Sequence, residues 1–219
     1  MFKRILFVSM AACTFMACST TDNKDDIPSL GYEYFPLESG KTYIYRVDSL
    51  GYDNNTGSTV IDTLTYFYKV QMGEFFTDLN NEQACYINRF YADSLNGEWH
   101  EATTWVALRN ANRAEQVEEN IRVVKLVFPV SESKSWDGNM MNNLGFERYR
   151  ITDYKVAYQQ FENTITVQQK NDSNAIEVIR SQERYASGVG MVYLKSDSLN
   201  TQTAGSRGYR YQLTLISYQ

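Results

Sequence analysis

Two side chains in this sequence could form a nucleophile–base pair: Cys85 and His100, the latter the only histidine. A thiolate activated by an imidazole would attack a carbonyl group. The local sequence does not support that chemistry, because Ala84–Ile87 alternates like a strand and carries no cysteine-protease signature. One histidine without cysteine partners also argues against a zinc site. We therefore expect Cys85 to be a buried strand residue and His100 to lie in a strand or turn.

Acidic residues are the other source of catalytic groups, and the chain has 26 Asp and Glu residues. Two carboxylates facing each other could hydrolyse a glycosidic bond, but the sequence favours no particular pair. Asp137–Asn139 and Asp53–Asn55 could offer oxygen ligands to calcium, yet such triplets are typical of ordinary turns. No glycine-rich phosphate loop, G-x-S-x-G elbow or EF-hand loop occurs in the sequence. The sequence therefore predicts no catalytic residue, no metal site and no cofactor.

Aromatic side chains provide the best binding signal, because 17 Tyr and 3 Trp are many for 219 residues. Trp99, Trp105 and Trp136 could stack on sugar rings or line an apolar groove. The alternative is that the aromatic rings pack the core, since Tyr suits a half-buried pleated surface. The composition favours binding of a glycan, lipid or protein partner over catalysis.

The elements that must position these residues are predicted to be strands. From Tyr32 onward, period-two alternation rich in Tyr, Thr, Phe and Val recurs between short turns rich in Asn and Gly. The predicted strands are 41–48, 60–70, 85–91, 104–108, 121–128, 148–156, 164–168, 175–180, 191–195 and 209–218. This pattern predicts an all-β fold, an antiparallel meander that forms a barrel, half-barrel or sandwich. One short helix is predicted near Asn112–Asn120.

The N-terminal residues predict export. Lys3 and Arg4 precede an uncharged apolar run, Ile5–Ala17, which is shorter than the ~20 residues that span a bilayer and fits a signal peptide. The segment that ends in Ala17 and Cys18 resembles a lipobox, with Phe15 at a position where Leu is usual. The resemblance implies cleavage before Cys18 and a lipid anchor, such as palmitate with further acyl chains, on that cysteine. Cys13 is the rival position.

Three segments follow from this interpretation: a signal peptide at 1–17, a lipidated flexible tether at 18–31 and a single β domain at 32–219. Lys24–Asp26 resembles the export signal of Bacteroidota-type surface lipoproteins, which implies display on the cell surface. The formal net charge is −5, and loss of Lys3 and Arg4 makes the remainder more acidic. An acidic chain of this kind argues against binding to nucleic acid.

Four Asp-Ser/Thr-Leu tripeptides resemble the O-glycosylation acceptor of exported Bacteroidota-type proteins. The acceptor residues would be Ser49, Thr63, Ser94 and Ser198. The alternative is that Asp-Ser is simply good turn chemistry at a strand end.

Further phrases are similar to those of an uncharacterised family of Bacteroidota-type outer-membrane lipoproteins. Tyr34–Tyr45 resembles the family's PL..G..W.Y opening strand, with Tyr43 at the usual Trp position. Phe128-Pro129 with Trp136–Asn139 resembles an FP…W.GN segment, and Tyr185–Val192 resembles YA.GVG.V. The resemblance implies an antiparallel β domain on the envelope, and it implies no activity. From the lipobox and Lys24–Asp26 we expect a lipid anchor in the outer membrane, with the domain facing the cell surface in preference to the periplasm. We therefore expect a non-enzymatic binding or assembly module; the alternative is a hydrolase acting on an envelope or dietary polymer.

Overall fold

The computed structural model describes residues 29–53, 60–203 and 205–219, and these residues form antiparallel strands joined by short turns. The strands are β1 Thr42–Asp53, β2 Val60–Thr77, β3 Gln83–Ala92, β4 His100–Glu101, β5 Trp105–Arg109, β6 Arg113–Glu118, β7 Ile121–Val127, β8 Ser135–Asp137, β9 Arg148–Tyr158, β10 Phe161–Ser173, β11 Glu177–Ala186, β12 Gly190–Thr203 and β13 Gly205–Tyr218. Within the described ranges the helical content is one short 3-10 turn, Tyr32–Tyr34. The predicted all-β fold is therefore confirmed.

The strands belong to one sheet that curls back on itself. Its order is β7-β6-β5-β3-β2-β1-β13-β12-β11-β10-β9-β8, with β4 paired to β3. The two edge strands meet, because Val124 N donates to Gly138 O at 2.9 Å and Trp136 Nε1 donates to Val124 O at 2.9 Å. The result is a nearly closed antiparallel barrel, one of the three architectures that the sequence predicts.

Alternation along the strands decides which side chains enter the barrel. On β13, Tyr209, Tyr211 and Leu213 line the interior. On β1, Tyr43 and Tyr45 do the same. Since successive side chains of a strand point to opposite faces, the residues between them face outwards.

The predicted helix near Asn112–Asn120 is wrong, because this segment forms β6 and the turn that follows it. β6 pairs with β5 on one side and with β7 on the other. Glu119 and Asn120 have φ values of 48° and 65°, and two consecutive residues at positive φ suit a tight two-residue hairpin. Pairing on both sides satisfies the backbone of this segment, so tertiary context overrides its helical propensity. The sequence does not predict β4 and β8, since these strands have only two and three residues and are too short to show an alternation of apolar and polar side chains.

The segment before β1 crosses one end of the barrel. Arg109 Nη1, on β5, donates to Tyr32 O and to Phe35 O, both at 2.9 Å. Gly188 N, in the β11–β12 turn, donates to Glu33 O at 2.8 Å. β5 and β11 lie far apart in the strand order, on opposite sides of the barrel. The segment therefore spans and covers this end.

The predicted signal peptide and Cys18 lie outside the described residues, as do Cys13 and Lys24–Asp26. The predicted tether, 18–31, contacts the barrel at its last residues, because Val130 N donates to Leu30 O at 2.9 Å. In the part of the chain that the structure describes, no helix is long and apolar enough to cross a membrane.

Candidate functional site

The barrel encloses a cavity of about 580 Å³. A volume of this size falls in the range of small-molecule sites, roughly 300–1,000 Å³. Aromatic side chains are prominent in its wall, among them Tyr43, Tyr45, Tyr66, Tyr68, Tyr209 and Tyr211. Aliphatic side chains fill the gaps between the rings, including Val70, Met72, Ile87 and Leu213.

Strand pairing explains why the rings form one continuous wall. β1 lies between β2 and β13, and Tyr45 pairs with Tyr68 on one side and with Leu215 on the other. Side chains that are opposite each other in neighbouring strands share a face, so the period-two pattern of each strand becomes a stripe across three strands. Tyr45 OH also donates to Met191 O at 2.9 Å, which satisfies a buried hydroxyl.

A charged cluster lies in the opposite wall of the cavity. Lys125 Nζ, on β7, lies 2.5 Å from Glu183 Oε1 on β11 and 3.0 Å from Glu118 Oε1 on β6. Tyr185 OH donates to the second oxygen of Glu183. The side chains of Lys125 and Glu183 are 7% and 3% exposed. The pairing compensates for burial, since an isolated buried charge is very costly.

Electrostatics fix the protonation of this cluster. Burial by itself would lower the pKa of Lys125, but the carboxylates of Glu118 and Glu183 outweigh it and hold that pKa well above its usual value. Burial and the neighbouring Glu183 raise the pKa of the Tyr185 phenol. The ammonium group is therefore charged and the phenol neutral at ordinary pH. Both carboxylates contact the same ammonium group.

A second cation, Arg89, lines the cavity from β3. Its guanidinium carbon lies 3.6 Å from the ring centroid of Trp105 and 5.0 Å from that of Tyr68. Its Nη1 donates to Thr103 Oγ1 at 3.2 Å. Glu119 Oε1 accepts from Trp105 Nε1 at 3.1 Å, which holds the indole in position beneath the guanidinium.

The three tryptophans predicted as stacking residues lie in three different places. Trp105 lines the cavity. Trp136 is buried and donates to Val124 O, where the two barrel edges meet. The Trp99 ring lies 4.8 Å from Lys69 Nζ, on the face of β2 opposite to the cavity-lining residues. The structure therefore forms no single row from these rings, and one of the three belongs to the cavity.

Sequence reasoning missed the charged residues of the cavity: Arg89, Glu118, Lys125 and Glu183. For two of them, the two-residue spacing from a core residue on the same strand could have predicted that they face the interior. Arg89 follows Ile87 by two positions on β3, and Glu183 precedes Tyr185 by two positions on β11, so each shares a face with a core residue.

Cys85 and His100 are far apart. Cys85 is buried, and burial raises the pKa of its thiol. His100 lies on β4, opposite Tyr91 and six residues along β3 from Cys85, which corresponds to about 20 Å at a rise of ~3.3 Å per residue. The predictions of a buried strand cysteine and a strand histidine are confirmed. Across the described ranges, no group of His, Cys, Asp and Glu side chains has the arrangement of a metal site.

The four predicted glycosylation residues differ in accessibility. Thr63 and Ser94 are exposed. Ser49 lines the cavity, and Ser198 is half-buried opposite Tyr209. A glycan therefore has room at Thr63 and Ser94.

No protein-family model matches the sequence, and no curated protein matches it. Solved structures similar to this chain include a Bacteroides fragilis protein described as exported, with a YmcC-like fold; it is 10% identical with a TM-score of 0.46, covering 84% of this chain and 98% of that one. Another is a chain from Parabacteroides distasonis described as a lipoprotein, 10% identical with a TM-score of 0.41, covering 85% of this chain and 98% of that one. Similarity at this level transfers neither an activity nor a location from those proteins to this chain.

Proposed function

We propose that this chain is an exported, lipid-anchored envelope protein whose barrel binds a small, largely apolar ligand without chemically altering it. The observation that carries the proposal is the cavity of about 580 Å³ with its aromatic and aliphatic wall. Such a cavity buries most of a small molecule's surface and gains free energy in proportion to the apolar area removed from water. The N-terminal residues support the anchored, outer-membrane part of the proposal.

The alternative function, hydrolysis, has less support. Two carboxylates, Glu118 and Glu183, do line the cavity, but Lys125 bridges both of them. Hydrolysis of a glycosidic bond needs one carboxyl group that donates a proton and one that stays free as base or nucleophile. Glu118 and Glu183 share one ammonium group, and this arrangement does not set apart one proton donor and one unpaired base.

A ligand inside the barrel is also favoured over a glycan stacked on its outer surface. Trp105 lies in the cavity beside tyrosines of β2, whereas Trp99 lies on the outer face and Trp136 is buried. A surface glycan site would need several exposed rings in one plane, and these three do not supply it.

The test uses the mature chain carrying Cys18→Ser, so that it is prepared without detergent. Binding of N-phenyl-1-naphthylamine, a neutral apolar probe, is followed by the rise in probe fluorescence. Ser49→Phe places a ring in the cavity and is expected to weaken probe binding by about tenfold, because it occupies apolar contact volume. The matched control is Thr63→Phe, on the neighbouring strand and the outward face, which should bind like the parent. Equal probe binding by both variants, or none by the parent, would refute the proposal.

The anchor is tested separately in the native host. Cys18→Ala is expected to abolish incorporation of labelled palmitate, and Cys13→Ala should leave it intact. Protease added to intact cells should degrade the protein if it is displayed on the surface. Labelling lost only in Cys13→Ala would move the anchor to that residue.

A further inference from the structure

The charges in the cavity do not all pair with one another. Four charged side chains line it: Arg89, Glu118, Lys125 and Glu183. The last three form one cluster joined by contacts of 2.5 and 3.0 Å. Arg89 takes no part in this cluster or in any other salt bridge formed among residues 29–53, 60–203 and 205–219. Arg89 therefore forms no salt bridge in this part of the chain. Its link to a carboxylate is indirect, through Thr103, whose hydroxyl accepts from Arg89 and donates to Glu119 Oε1 at 2.9 Å.

The surroundings of Arg89 hold its guanidinium group in place. Trp105 lies against it at 3.6 Å and Tyr68 at 5.0 Å, and Thr103 Oγ1 accepts one of its N–H groups at 3.2 Å. A guanidinium group has five N–H donors in a planar fork. Stacking on rings occupies its faces and leaves donors along its edge, which is the geometry that binds a carboxylate or phosphate through two parallel hydrogen bonds.

The wall next to Arg89 is apolar. Val70 pairs with Arg89 across β2 and β3, and Met72 pairs with Ile87 at the next inward position. A molecule whose polar end reaches Arg89 would thus lay its remaining length against aliphatic side chains. Burial of that length removes apolar surface from water and so favours binding.

We propose that the cavity binds an anionic amphiphile, with its acidic group paired to Arg89 and its apolar chain against Val70, Met72 and Ile87. This inference rests on the proposed function, because it names the chemical class of the ligand for the same cavity. The formal net charge of the whole chain is −5, so its long-range field repels anions. Preference for an anion must therefore come from the local contact with Arg89 and not from the overall charge.

The experiment measures displacement of bound N-phenyl-1-naphthylamine by three ligands of equal chain length: decanoate, decan-1-ol and decylammonium. We expect decanoate to compete at least about tenfold more strongly than decylammonium, since a charge-assisted hydrogen bond is worth that factor or more. Arg89→Gln should remove the advantage of decanoate and leave decan-1-ol unchanged. Arg89→Lys should retain part of it. The matched control is Arg46→Gln, which removes the same charge from an exposed side chain on the outer face of β1.

The outcomes separate the two proposals. If the parent binds the probe but decanoate and decylammonium compete equally, or if Arg89→Gln keeps the full preference while its circular dichroism matches the parent, the anionic ligand is refuted and the apolar cavity function stands. If the parent does not bind the probe at all, the proposed function fails, and this inference with it. Loss of preference in Arg89→Gln and its partial recovery in Arg89→Lys would support the assignment.

Discussion

Lys125 Nζ lies 2.5 Å from Glu183 Oε1, although β7 and β11 are not neighbours in the sheet. The pair thus connects an edge strand to the opposite half of the barrel across its interior. In the described part of the chain, the hydrogen bonds between the two edges include those of Val124 with Gly138 and Trp136 and that of Asn142 Nδ2 with Arg122 O. The ion pair therefore acts as a brace that holds the barrel closed around its cavity.

Lys125→Met is expected to destabilise the protein by about 3–5 kcal/mol, because it leaves Glu183 buried without its cation. Urea denaturation monitored by circular dichroism measures the change. Adding Glu183→Gln to Lys125→Met should restore part of the lost stability, since it removes the most deeply buried unpaired charge and leaves only the more exposed Glu118 without its cation.

The control for this prediction is Lys41→Met, whose ammonium group lies 3.6 Å from Glu38 on the exposed surface. Exposed pairs of this kind are worth at most about 1 kcal/mol. Equal losses from Lys125→Met and Lys41→Met would contradict the brace.

Alkaline pH should destabilise the barrel, because several of its phenols are buried in the neutral form. Burial raises the pKa of Tyr34, Tyr43 and Tyr149 to about 12 each. A group whose pKa is raised in the folded state contributes stability that is complete below its unfolded pKa, near 10 for tyrosine, and is lost as the pH rises towards its folded value. Lys125 has the same sign, because its folded pKa is also raised. We therefore expect the unfolding free energy to fall between about pH 10 and pH 12.

Tyrosinate absorbance recorded together with circular dichroism tests this pH dependence. Part of the tyrosine signal should appear only with, or after, loss of structure. Titration of every tyrosine near pH 10 in a protein that stays folded would contradict the burial of these phenols.

Trp136→Phe should weaken the junction between the two barrel edges. Trp136 Nε1 donates to Val124 O at 2.9 Å, and phenylalanine would keep an aromatic ring, smaller than the indole, while leaving that buried carbonyl without this donor. The expected cost is about 1–3 kcal/mol, with faster amide hydrogen exchange in β7. Trp99→Phe, which loses a partly exposed contact with Lys69, should cost less than about 1 kcal/mol. If both variants showed the same exchange pattern as the parent, the junction would not depend on Trp136.

If the native host glycosylates this protein, the glycans should be found at Thr63 or Ser94 and not at Ser49. Thr63 and Ser94 are exposed, whereas Ser49 lines a cavity that also has to admit a ligand. Peptide mass mapping of protein from the native host locates them. A glycan on Ser49 in the folded protein would contradict the position of Ser49 in the cavity wall.

In the segment that resembles FP…W.GN, the strand could be predicted from the sequence, but the roles of Trp136 and Gly138 could not. The sequence predicts a strand at 121–128, and β7 does end at Val127, before Phe128-Pro129. Trp136 was a stacking candidate, but its indole joins the barrel edges. Gly138 needs its lack of a side chain, because an added Cβ would lie 2.5 Å from the Tyr149 ring. Nothing local to Gly138 reveals that ring, since it comes from the next strand.

The sequence by itself determined the all-β class, the position of most strands, and the expectations for export and lipidation, because each depends on residues close together in the chain. Period-two alternation is a local property, and a strand keeps it in any sheet. Only the tertiary structure decided that the sheet closes into a barrel, that β6 replaces a helix, and that Arg89 and the Lys125 cluster face one cavity. These outcomes depend on pairings between residues distant in sequence, such as Lys125 with Glu183, whose energies arise only when folding brings the strands together.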